Sequence, residues 1–540
     1  MADGVDDHDV VIVGAGHNGL VCAAYLAMAG LRVKMVERRR VVGGAAVTEE
    51  FHPGFRNSVA AYAVSLLNPK IIRDLRLHEH GLRIVERRVQ NFLPAADGSY
   101  LVAAEGETAR QIGKFSAADA GRYAAFNREL DMAADVLRDL ALRAPPNLAS
   151  GFTLRRLGEL IRTGALANRL RRLRPEQVRI LFDLATKSAG EFLDNWFETD
   201  LLKAMHGSDA VVGNYASPYA PGTAYVLLHH AFGEVNGRKR SWGHALGGMG
   251  AITQAMARAA QTLGVAIETD APVAEIVVER DRACGVVLGD GRVIRGRAVA
   301  ANVNPRLLYT GLMPGGALPA EFLARMRRWR CESGTFRMNL ALSRLPSFAA
   351  LPTSKGTDHL TSGIILGPSL GYMERAFHDA RRDGWSREPI IEMLIPSTLD
   401  DSLSPPGTHV ASLFCQHVAP QLPDGKSWSD HRDTVADLMI DTVERYAPGF
   451  KASVLGRQAL SPLDLEETFG LTGGDIFHGA LSLDQLFWAR PMIGYADYRG
   501  PLRGLYHCGS GAHPGGGVTG LPGHNAARAI IRDRRWRVWT

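Results

Sequence analysis

The strongest constraint on the fold is a pattern of three glycines between a β-branched run and an alanine- and leucine-rich segment. The run is Asp9-Val-Val-Ile-Val, the glycines are Gly14, Gly16 and Gly19, and residues 17–29 have helical character. Strand character resumes over residues 31–37, so residues 9–37 predict a βαβ unit. This spacing is typical of a dinucleotide site. Gly14 permits the tight turn, Gly16 lets the backbone approach a pyrophosphate, and Gly19 lets helix and strand pack closely.

An acidic residue stands where such a site needs one. Glu37 follows the last glycine by eighteen residues and is expected to hold ribose hydroxyls, while the helix N-terminus supplies N–H donors to the phosphates. The three following arginines, Arg38 to Arg40, could instead meet the 2′-phosphate of NADP. Because the charge of Glu37 opposes that, we interpret them as a strand end with some phosphate contact, Arg38 being the candidate. The alternative for the whole pattern is a glycine-rich structural turn.

A second glycine cluster favours a flavin. Gly43 and Gly44 follow Glu37, and eight glycines lie between 504 and 523. A backbone without side chains can lie against a flat ring system, and a helix beginning near Pro522 can direct its N–H groups at the charge of a reduced flavin. A flexible linker fits poorly because His, Pro, Val and Asn are interleaved. The cofactor contacts predicted here are Gly509, Gly516, Gly517, Gly520 and Asn525.

Composition excludes several other classes. A net charge of +6 is small for 540 residues, and no zinc-finger or ribonucleoprotein pattern occurs, so we expect no nucleic-acid partner. The five cysteines are far apart and odd in number, which favours a reducing interior. The first residues have no apolar signal core and no apolar run reaches about 18 residues, so we expect a cytoplasmic protein. The adjacent His229 and His230 are poorly placed for shared ligation, and we predict no metal.

The rest of the chain alternates between helical and strand patterns. Residues from about 116 to 200 have helical spacing and suggest an inserted cap. Residues 265–300 return to strand patterning, with a hairpin around Asp290-Gly291. Strands are predicted at Thr335–Leu342 and Ile390–Ile395, and a helix at 429–446.

Several motifs together resemble the carotenoid desaturase and ketolase-like flavoproteins, including phytoene desaturase, with the strongest likeness to the pyridine nucleotide-disulfide oxidoreductase domain-containing protein 2 group. Besides the N-terminal fingerprint they are Arg40-Val-Val-Gly-Gly-Ala, Gly247-Gly-Met-Gly-Ala, Ala301-Asn-Val-Asn-Pro, the 477–491 segment and the glycine run after Gly509. The resemblance implies an α/β fold of the amine-oxidase and phytoene-desaturase type. It has a discontinuous Rossmann-type FAD-binding domain, a mixed α+β substrate domain and a helical cap.

The resemblance also implies the domain boundaries. The FAD-binding domain is expected in residues 1–105, 245–310 and 500–540, and the substrate domain in 106–244, which holds the cap, and 311–499. Val273 would then pass the adenine, although an ordinary core valine is the alternative. Bound FAD should be non-covalent.

The predicted activity is FAD-dependent oxidation or desaturation of an apolar, isoprenoid-like small molecule, with an unspecified electron acceptor. His513 is the candidate catalytic residue, because an imidazole inside the flavin-facing run can donate to the flavin or take a proton. A structural hydrogen bond is its alternative role. Other functions left open are a flavin amine oxidase and a flavin-bound protein with a binding or regulatory role.

An arginine-rich segment raises the question of membrane contact. Residues 154–174 contain seven arginines and one acid, with leucines at helical spacing, and Trp536 and Trp539 lie in a basic tail. Such a surface can lie on anionic lipid and deliver an apolar substrate. A cap helix that buries its apolar stripe is the equally open alternative.

Overall fold

The computed structural model describes residues 8–147, 164, 168 and 170–535. Its strands, in chain order, are β1 His8–Val13, β2 Val33–Val36, β3 Thr48–His52, β4 Phe55–Ser58, β5 Ile84–Glu86, β6 Val89–Pro94, β7 Tyr100–Ala104, β8 Glu234–Val235, β9 Arg238–Lys239, β10 Gly243–Ala245, β11 Ala266–Glu268, β12 Val273–Glu279, β13 Arg282–Leu288, β14 Val293–Ala301, β15 Phe336–Leu342, β16 Gly363–Leu366, β17 Trp385–Leu394, β18 His409–Val418, β19 Val454–Leu460 and β20 Leu505–His507.

The α-helices with described bounds follow the same order. They are α1 His17–Met28, α2 Pro69–Asp74, α3 Thr108–Ile112, α4 Ala117–Ala141, α5 Pro175–Thr186, α6 Ala189–Asp194, α7 Asp200–Val211, α8 Thr223–Ala231, α9 Met249–Thr262, α10 Pro305–Gly311, α11 Ala320–Arg327, α12 Leu370–Asp383, α13 Trp428–Tyr446, α14 Pro462–Phe469 and α15 Leu521–Arg535.

The predicted βαβ unit forms and starts a seven-stranded sheet. Its strand order is β11-β2-β1-β14-β13-β12, and β20 pairs with β14. Val10, Val11 and Ile12 are fully buried, as expected for a β-branched strand that is covered on both faces. The predicted hairpin around Asp290-Gly291 also forms, with β13 antiparallel to β14.

The carboxyl ends of four parallel strands meet at one edge of this sheet. Val13 lies opposite both Val36 and Ala301, and Ala301 lies opposite His507. The loops that follow β1, β2, β14 and β20 therefore converge, although they come from positions almost 500 residues apart. In open parallel sheets, ligands bind in the crevice beyond the carboxyl ends of the strands.

A second seven-stranded sheet has the order β19-β15-β18-β17-β16-β6-β7. Helix α13, predicted at 429–446, packs on it through Val435, Met439 and Val443. The predicted strands at 335–342 and 390–395 form within β15 and β17.

Two strands of the segment predicted as the first part of the FAD-binding domain belong to the second sheet. Strands β6 and β7 lie within the predicted 1–105 segment, yet they pair in the second sheet, where Asn91 lies opposite Gly363. This pairing joins residues more than 270 positions apart, so no local pattern reveals it.

Helices α3 to α8 form the predicted cap around a separate apolar core that includes Phe126, Leu130, Leu184 and Leu202. Most of the arginine-rich 154–174 segment, together with Trp536 and Trp539, lies outside the described residues, so the membrane contact stays a prediction. Within the described residues, no helix has the length and hydropathy needed to cross a membrane.

Helix α15 is held in the first domain by a buried ion pair. Arg499 donates through Nε and Nη2 to the two carboxylate oxygens of Asp533, both at 2.8 Å, and the Tyr506 hydroxyl donates to the same carboxylate at 2.8 Å. Asp533 is only 3% exposed. The C-terminal helix is therefore tied to the loop before β20.

Asp533→Ala is expected to lower the free energy of unfolding by about 2 kcal/mol, because Arg499 and Tyr506 lose their shared acceptor while Arg499 keeps its pair with Asp497 at 2.6 Å. Urea unfolding measures this change. Asp441→Ala, which breaks the exposed pair with Lys451, is the control and should change stability by less than about 1 kcal/mol. Equal losses of stability in the two variants would contradict a stabilising role of the Arg499–Asp533 ion pair.

Candidate functional site

The first glycine loop has little room for side chains. Gly14 has a φ of +90°, and its N–H donates to Val36 O at 2.8 Å. A Cβ on Gly16 would lie 2.9 Å from Asn302 Nδ2, and one on Gly19 would lie 2.3 Å from Gly14 O. These contacts fit the roles expected for a tight turn, an open backbone approach and close packing of helix on strand.

Glu37 connects this loop to the end of β2. Its carboxylate accepts hydrogen bonds from Ala15 N at 2.7 Å and Arg39 N at 3.0 Å. Glu37 also lines a cavity at the carboxyl ends of β1 and β2, which we name the main cavity. Arg38 also lines the cavity, and its guanidinium donates to Glu467 O at 2.9 Å. Arg39 is paired with Glu49 at 2.8 Å, which leaves it less able to meet an NADP phosphate.

The second glycine pair lies directly against the first loop. Gly43 N donates to Ala15 O at 2.8 Å. Gly43 has a φ of +127°, and a Cβ there would lie 2.7 Å from both Ala46 O and Thr253 Oγ1, so only glycine fits. A Cβ on Gly44 would lie 3.3 Å from the Cα of Gly16. The two glycine segments thus form one backbone surface, and the glycines that line the cavity here are Gly14, Gly16, Gly43 and Gly44.

The C-terminal glycine run enters the same site from β20. Asn18 Nδ2 donates to Ser510 Oγ at 3.0 Å, which joins the run to α1. Gly517, with a φ of +100°, lines the cavity together with Ser510 and Val518.

The other predicted residues of this run are packed against protein. A Cβ on Gly516 would lie 2.7 Å from the Phe477 ring, one on Gly509 3.2 Å from Asn302, and one on Gly520 3.2 Å from Ile71. Asn525 donates to Ala141 O and to the Tyr498 hydroxyl, both at 2.9 Å. None of these four predicted residues lines the main cavity, and their contact with the cofactor stays a prediction.

His513 does not line the main cavity either. Its Nε2 lies 3.1 Å from Leu140 O, and its ring packs edge-on against Phe487. Burial lowers the pKa of His513 to about 4, so its imidazole is neutral at pH 7. The geometry favours the alternative of a structural hydrogen bond, and the catalytic role stays a prediction.

The main cavity has a volume of about 430 Å³ and two groups of lining residues. One group surrounds the glycine loop and includes Glu37, Arg38, Pro272, Val273 and Phe469, as expected for the adenosine end of a dinucleotide. The other group is mostly apolar and aromatic and comes largely from the segment after β4, with further residues from the cap, from β18 of the second sheet and from the C-terminal glycine run. It comprises Ala60, Ala61, Tyr62, Ala63, Leu66, Val212, His230, Trp242, Phe414, Ile476, Phe477, Gly517 and Val518.

Four buried polar atoms that belong to cavity-lining residues have no hydrogen-bond partner among the described residues. They are His17 Nε2, Arg39 Nη1, Ser65 Oγ and His478 Nδ1. In addition, Gly16 provides no side-chain cap for the N-terminus of α1. Buried polar groups are normally satisfied, so this set indicates a polar ligand. FAD fits it, because the pyrophosphate accepts from a helix N-terminus and the flavin ring carries both donors and acceptors.

Sequence reasoning missed a polar cluster at the apolar end of the main cavity, in which Arg87 and Arg337 are buried and Tyr62 and Glu392 are half-buried. The Tyr62 hydroxyl donates to Glu392 Oε2 at 2.5 Å, and the Arg337 guanidinium lies 4.7 Å from the centre of the Tyr62 ring. Burial raises the pKa of Glu392, and the Tyr62 hydrogen bond, Arg87 and Arg337 partly oppose this. These residues come from four distant segments, so only the fold brings them together.

The sequence patterns also did not single out Arg490, although it lies in the 477–491 segment. It is fully buried and donates to backbone carbonyls of two loops, reaching Phe477 O at 2.7 Å and Ser510 O at 2.9 Å. This guanidinium therefore fixes Phe477 against the C-terminal glycine run. Within the described residues, no group of three or more His, Cys, Asp or Glu side chains could hold a metal ion.

Gly16→Val is expected to abolish FAD retention, because its side chain would displace Asn302 and fill the backbone surface. The protein-bound flavin is measured by absorbance after gel filtration. Gly315→Val is the matched control, since a Cβ there meets nothing within 4 Å, and it should retain FAD as the wild type does. Normal flavin content in Gly16→Val would contradict this site.

Several known proteins are similar to this chain in fold or in sequence. An oxidoreductase structure from Methanosarcina mazei superposes with a TM-score of 0.60 at 16% identity, over 97% of this chain and all of that one. A limonene dehydrogenase subunit of Castellaniella defragrans is 26% identical over 98% of this chain and 96% of its own length. A phytoene desaturase (lycopene-forming) of Pseudescherichia vulneris is 26% identical over 96% of this chain and 98% of its own length.

Two further matches establish the family. The pyridine nucleotide-disulfide oxidoreductase domain-containing protein 2 of Rattus norvegicus is 43% identical over 98% of this chain and 94% of its own length. The family model described as flavin containing amine oxidoreductase matches residues 19–335, which is more than half of the chain. The predicted resemblance and the predicted cofactor are thereby confirmed. The chain belongs to the flavin-containing amine oxidoreductase family and is an FAD-dependent oxidoreductase.

Proposed function

We propose that this oxidoreductase removes hydrogen from an apolar small molecule. The observation that carries the proposal is the second group of cavity-lining residues, in which alanine, leucine, valine, isoleucine and aromatic side chains predominate. A cavity of this kind favours a substrate that gains free energy by leaving water. The names of two relatives support the same class, since limonene and phytoene are both isoprenoid hydrocarbons.

The Tyr62 and Glu392 pair is the proposed proton acceptor. FAD, when bound, would supply the hydride acceptor, which takes one hydrogen of the substrate together with both electrons of its C–H bond. The proton that leaves the neighbouring substrate carbon passes to Tyr62 Oη, while the Tyr62 hydroxyl proton passes along its 2.5 Å hydrogen bond to Glu392 Oε2. Tyr62 thus ends the step neutral, and Glu392 changes from carboxylate to carboxylic acid. Arg87 and Arg337 stabilise the carboxylate before the step.

Charge at this end of the cavity disfavours a cationic amine as substrate. Arg337 already occupies one face of the Tyr62 ring and lies 5.7 Å from the Phe414 ring. This polar cluster contains two arginines and one acid, so a further cation near it would be repelled. The family description alone therefore does not make this chain an amine oxidase.

The decisive experiment is an anaerobic titration of the holoprotein with candidate substrates. We expect the purified protein to be yellow and its flavin absorbance near 450 nm to bleach with an apolar, dehydrogenatable molecule. Bleaching by primary amines and by no apolar compound would overturn the proposal. Absence of bleaching with any compound would favour the binding or regulatory role.

Tyr62→Phe is expected to slow flavin reduction by about 10²–10⁴-fold while FAD remains bound, because the variant keeps the ring and loses the proton path. Stopped-flow absorbance measures the rate. In the wild type the rate of flavin reduction should rise as the pH rises through the pKa of Glu392, because Glu392 must be ionised to accept a proton. Glu392→Gln should reduce its flavin slowly and without this pH dependence. Unchanged rates of flavin reduction in both variants would contradict proton transfer through Tyr62 and Glu392.

His513→Ala separates the two roles considered for that residue. The structural role predicts retained FAD and a reduction rate within about twofold of the wild type, with reduced thermal stability from the lost bond to Leu140 O. A rate loss of about 10²-fold or more would instead restore the catalytic assignment.

A further inference from the structure

A second cavity of about 540 Å³ adjoins the apolar end of the main one. It lies between the cap and the edge of the second sheet, with walls from β6, β7, α4, α7 and α8. His230 and Trp242 line both cavities, and their rings are nearly parallel with centres 6.4 Å apart. The two cavities therefore meet at these two rings.

Helix α7 directs two polar groups into this second cavity. His206 and Asp209 are three positions apart, so they share one face of the helix, and both line the cavity. His206 is 7% exposed and packs against the Phe126 ring at 4.8 Å, and its Nε2 has no hydrogen-bond partner in the part of the chain that the structure describes. Among the described residues, no group donates a hydrogen bond to the Asp209 side chain.

The cations that line this cavity already have partners. Arg240 forms an ion pair with Asp131, in which Nε lies 2.7 Å from Oδ1 without a hydrogen bond, and Arg240 Nη1 donates to Asn127 Oδ1 at 2.7 Å. Arg238 pairs with Glu86 and Glu105, and Lys239 with Asp135. His206 and Asp209 are consequently the groups that a bound molecule would complete.

The surroundings of both groups favour their uncharged forms. Burial lowers the pKa of His206 to about 3, and Arg240 adds to this. Burial raises the pKa of Asp209 to about 8, Glu392 adds to this, and Arg240 opposes it. The other titratable groups that line the cavity are Glu105, Tyr123, His230, Arg238 and Lys239. An uncharged pair of this kind suits an uncharged oxygen group, which can accept from one side chain and, if it is a hydroxyl, also donate to the other.

We propose that the second cavity binds a hydroxyl or carbonyl oxygen at one end of the substrate, while the apolar body of the substrate lies in the main cavity. The substrate class is then an apolar alcohol, aldehyde or ketone rather than a plain hydrocarbon. This inference rests on the proposed function, since it assigns the far end of the same substrate. A plain hydrocarbon would leave both polar groups unsatisfied, which typically costs roughly 5- to 150-fold in affinity for each.

The test measures binding to the holoprotein by calorimetry, with octan-1-ol and octan-2-one as probes. Asp209→Leu and His206→Phe are each expected to weaken binding by roughly 5- to 150-fold. Asp209→Asn keeps a donor and should bind within about threefold of the wild type. Ser208→Ala is the control on the same helix, because its hydroxyl bonds to Met205 O within α7, and it should bind normally.

The pH dependence gives a second readout that does not rely on enzyme turnover. Octan-2-one only accepts, so its binding to the wild type should weaken as the pH rises through about 8 and Asp209 loses its proton. In Asp209→Asn this dependence should disappear. If octylamine bound the wild type more tightly than octan-1-ol, and Asp209→Leu removed that preference, the cavity would be a cation site. This result would overturn the inference.

The outcomes separate this inference from the proposed function. If octane-saturated buffer perturbs the flavin absorbance of the wild type, the main cavity takes an alkyl chain. Equal binding of both probes to the wild type and Asp209→Leu would then overturn only the second site. If octane, octan-1-ol and octan-2-one all leave the flavin spectrum unchanged, the apolar-substrate proposal itself fails.

Discussion

The parallel register of β1, β14 and β20 is the constraint on which the rest of the structure depends. It sets Val13, Ala301 and His507 side by side, so the loops after these strands must share one crevice. Each loop then has to pass close to another, as when Cys508 N donates to Ala301 O at 2.9 Å and Asn302 N to Val13 O at 2.8 Å. Side chains at Gly16, Gly43 or Gly509 would force these loops apart, which is the physical reason for glycine at these positions.

Two buried arginines fix the loops and rings at the apolar end of the main cavity. Arg490 holds the Phe477 loop against Ser510 through backbone carbonyls, and burial lowers its pKa to about 10. Arg337 is bonded to Leu413 O and Ser412 Oγ, both at 2.6 Å, while its guanidinium covers Tyr62. A buried cation is stable only with such partners, so each arginine also fixes the groups around it. The two guanidinium groups thereby position the aromatic wall of the cavity.

The two cavities differ in what they can recognise. Around the glycine loops, recognition is by the backbone and by a few buried polar atoms. With the proposed apolar substrate, the apolar end would discriminate mainly by shape and by the exclusion of water, which tolerates related hydrocarbons. A pair of neutral polar groups beyond Trp242 and His230 would add the directional element that an apolar wall lacks, because an unsatisfied buried polar group discriminates more strongly than a missing methylene group.

The sequence by itself determined the dinucleotide end, the family and the cofactor. Gly14, Gly16, Gly19 and Glu37 are close in the chain, and their spacing has one geometric use in a βαβ unit, so local pattern was sufficient. Tertiary structure alone decided the rest. Tyr62 and Glu392 are 330 positions apart, β6 and β7 join the second sheet rather than the first, and His513 faces Leu140 O rather than the cavity. Which way a side chain points, and which distant strand becomes its neighbour, depends on long-range pairing and packing that no local periodicity encodes.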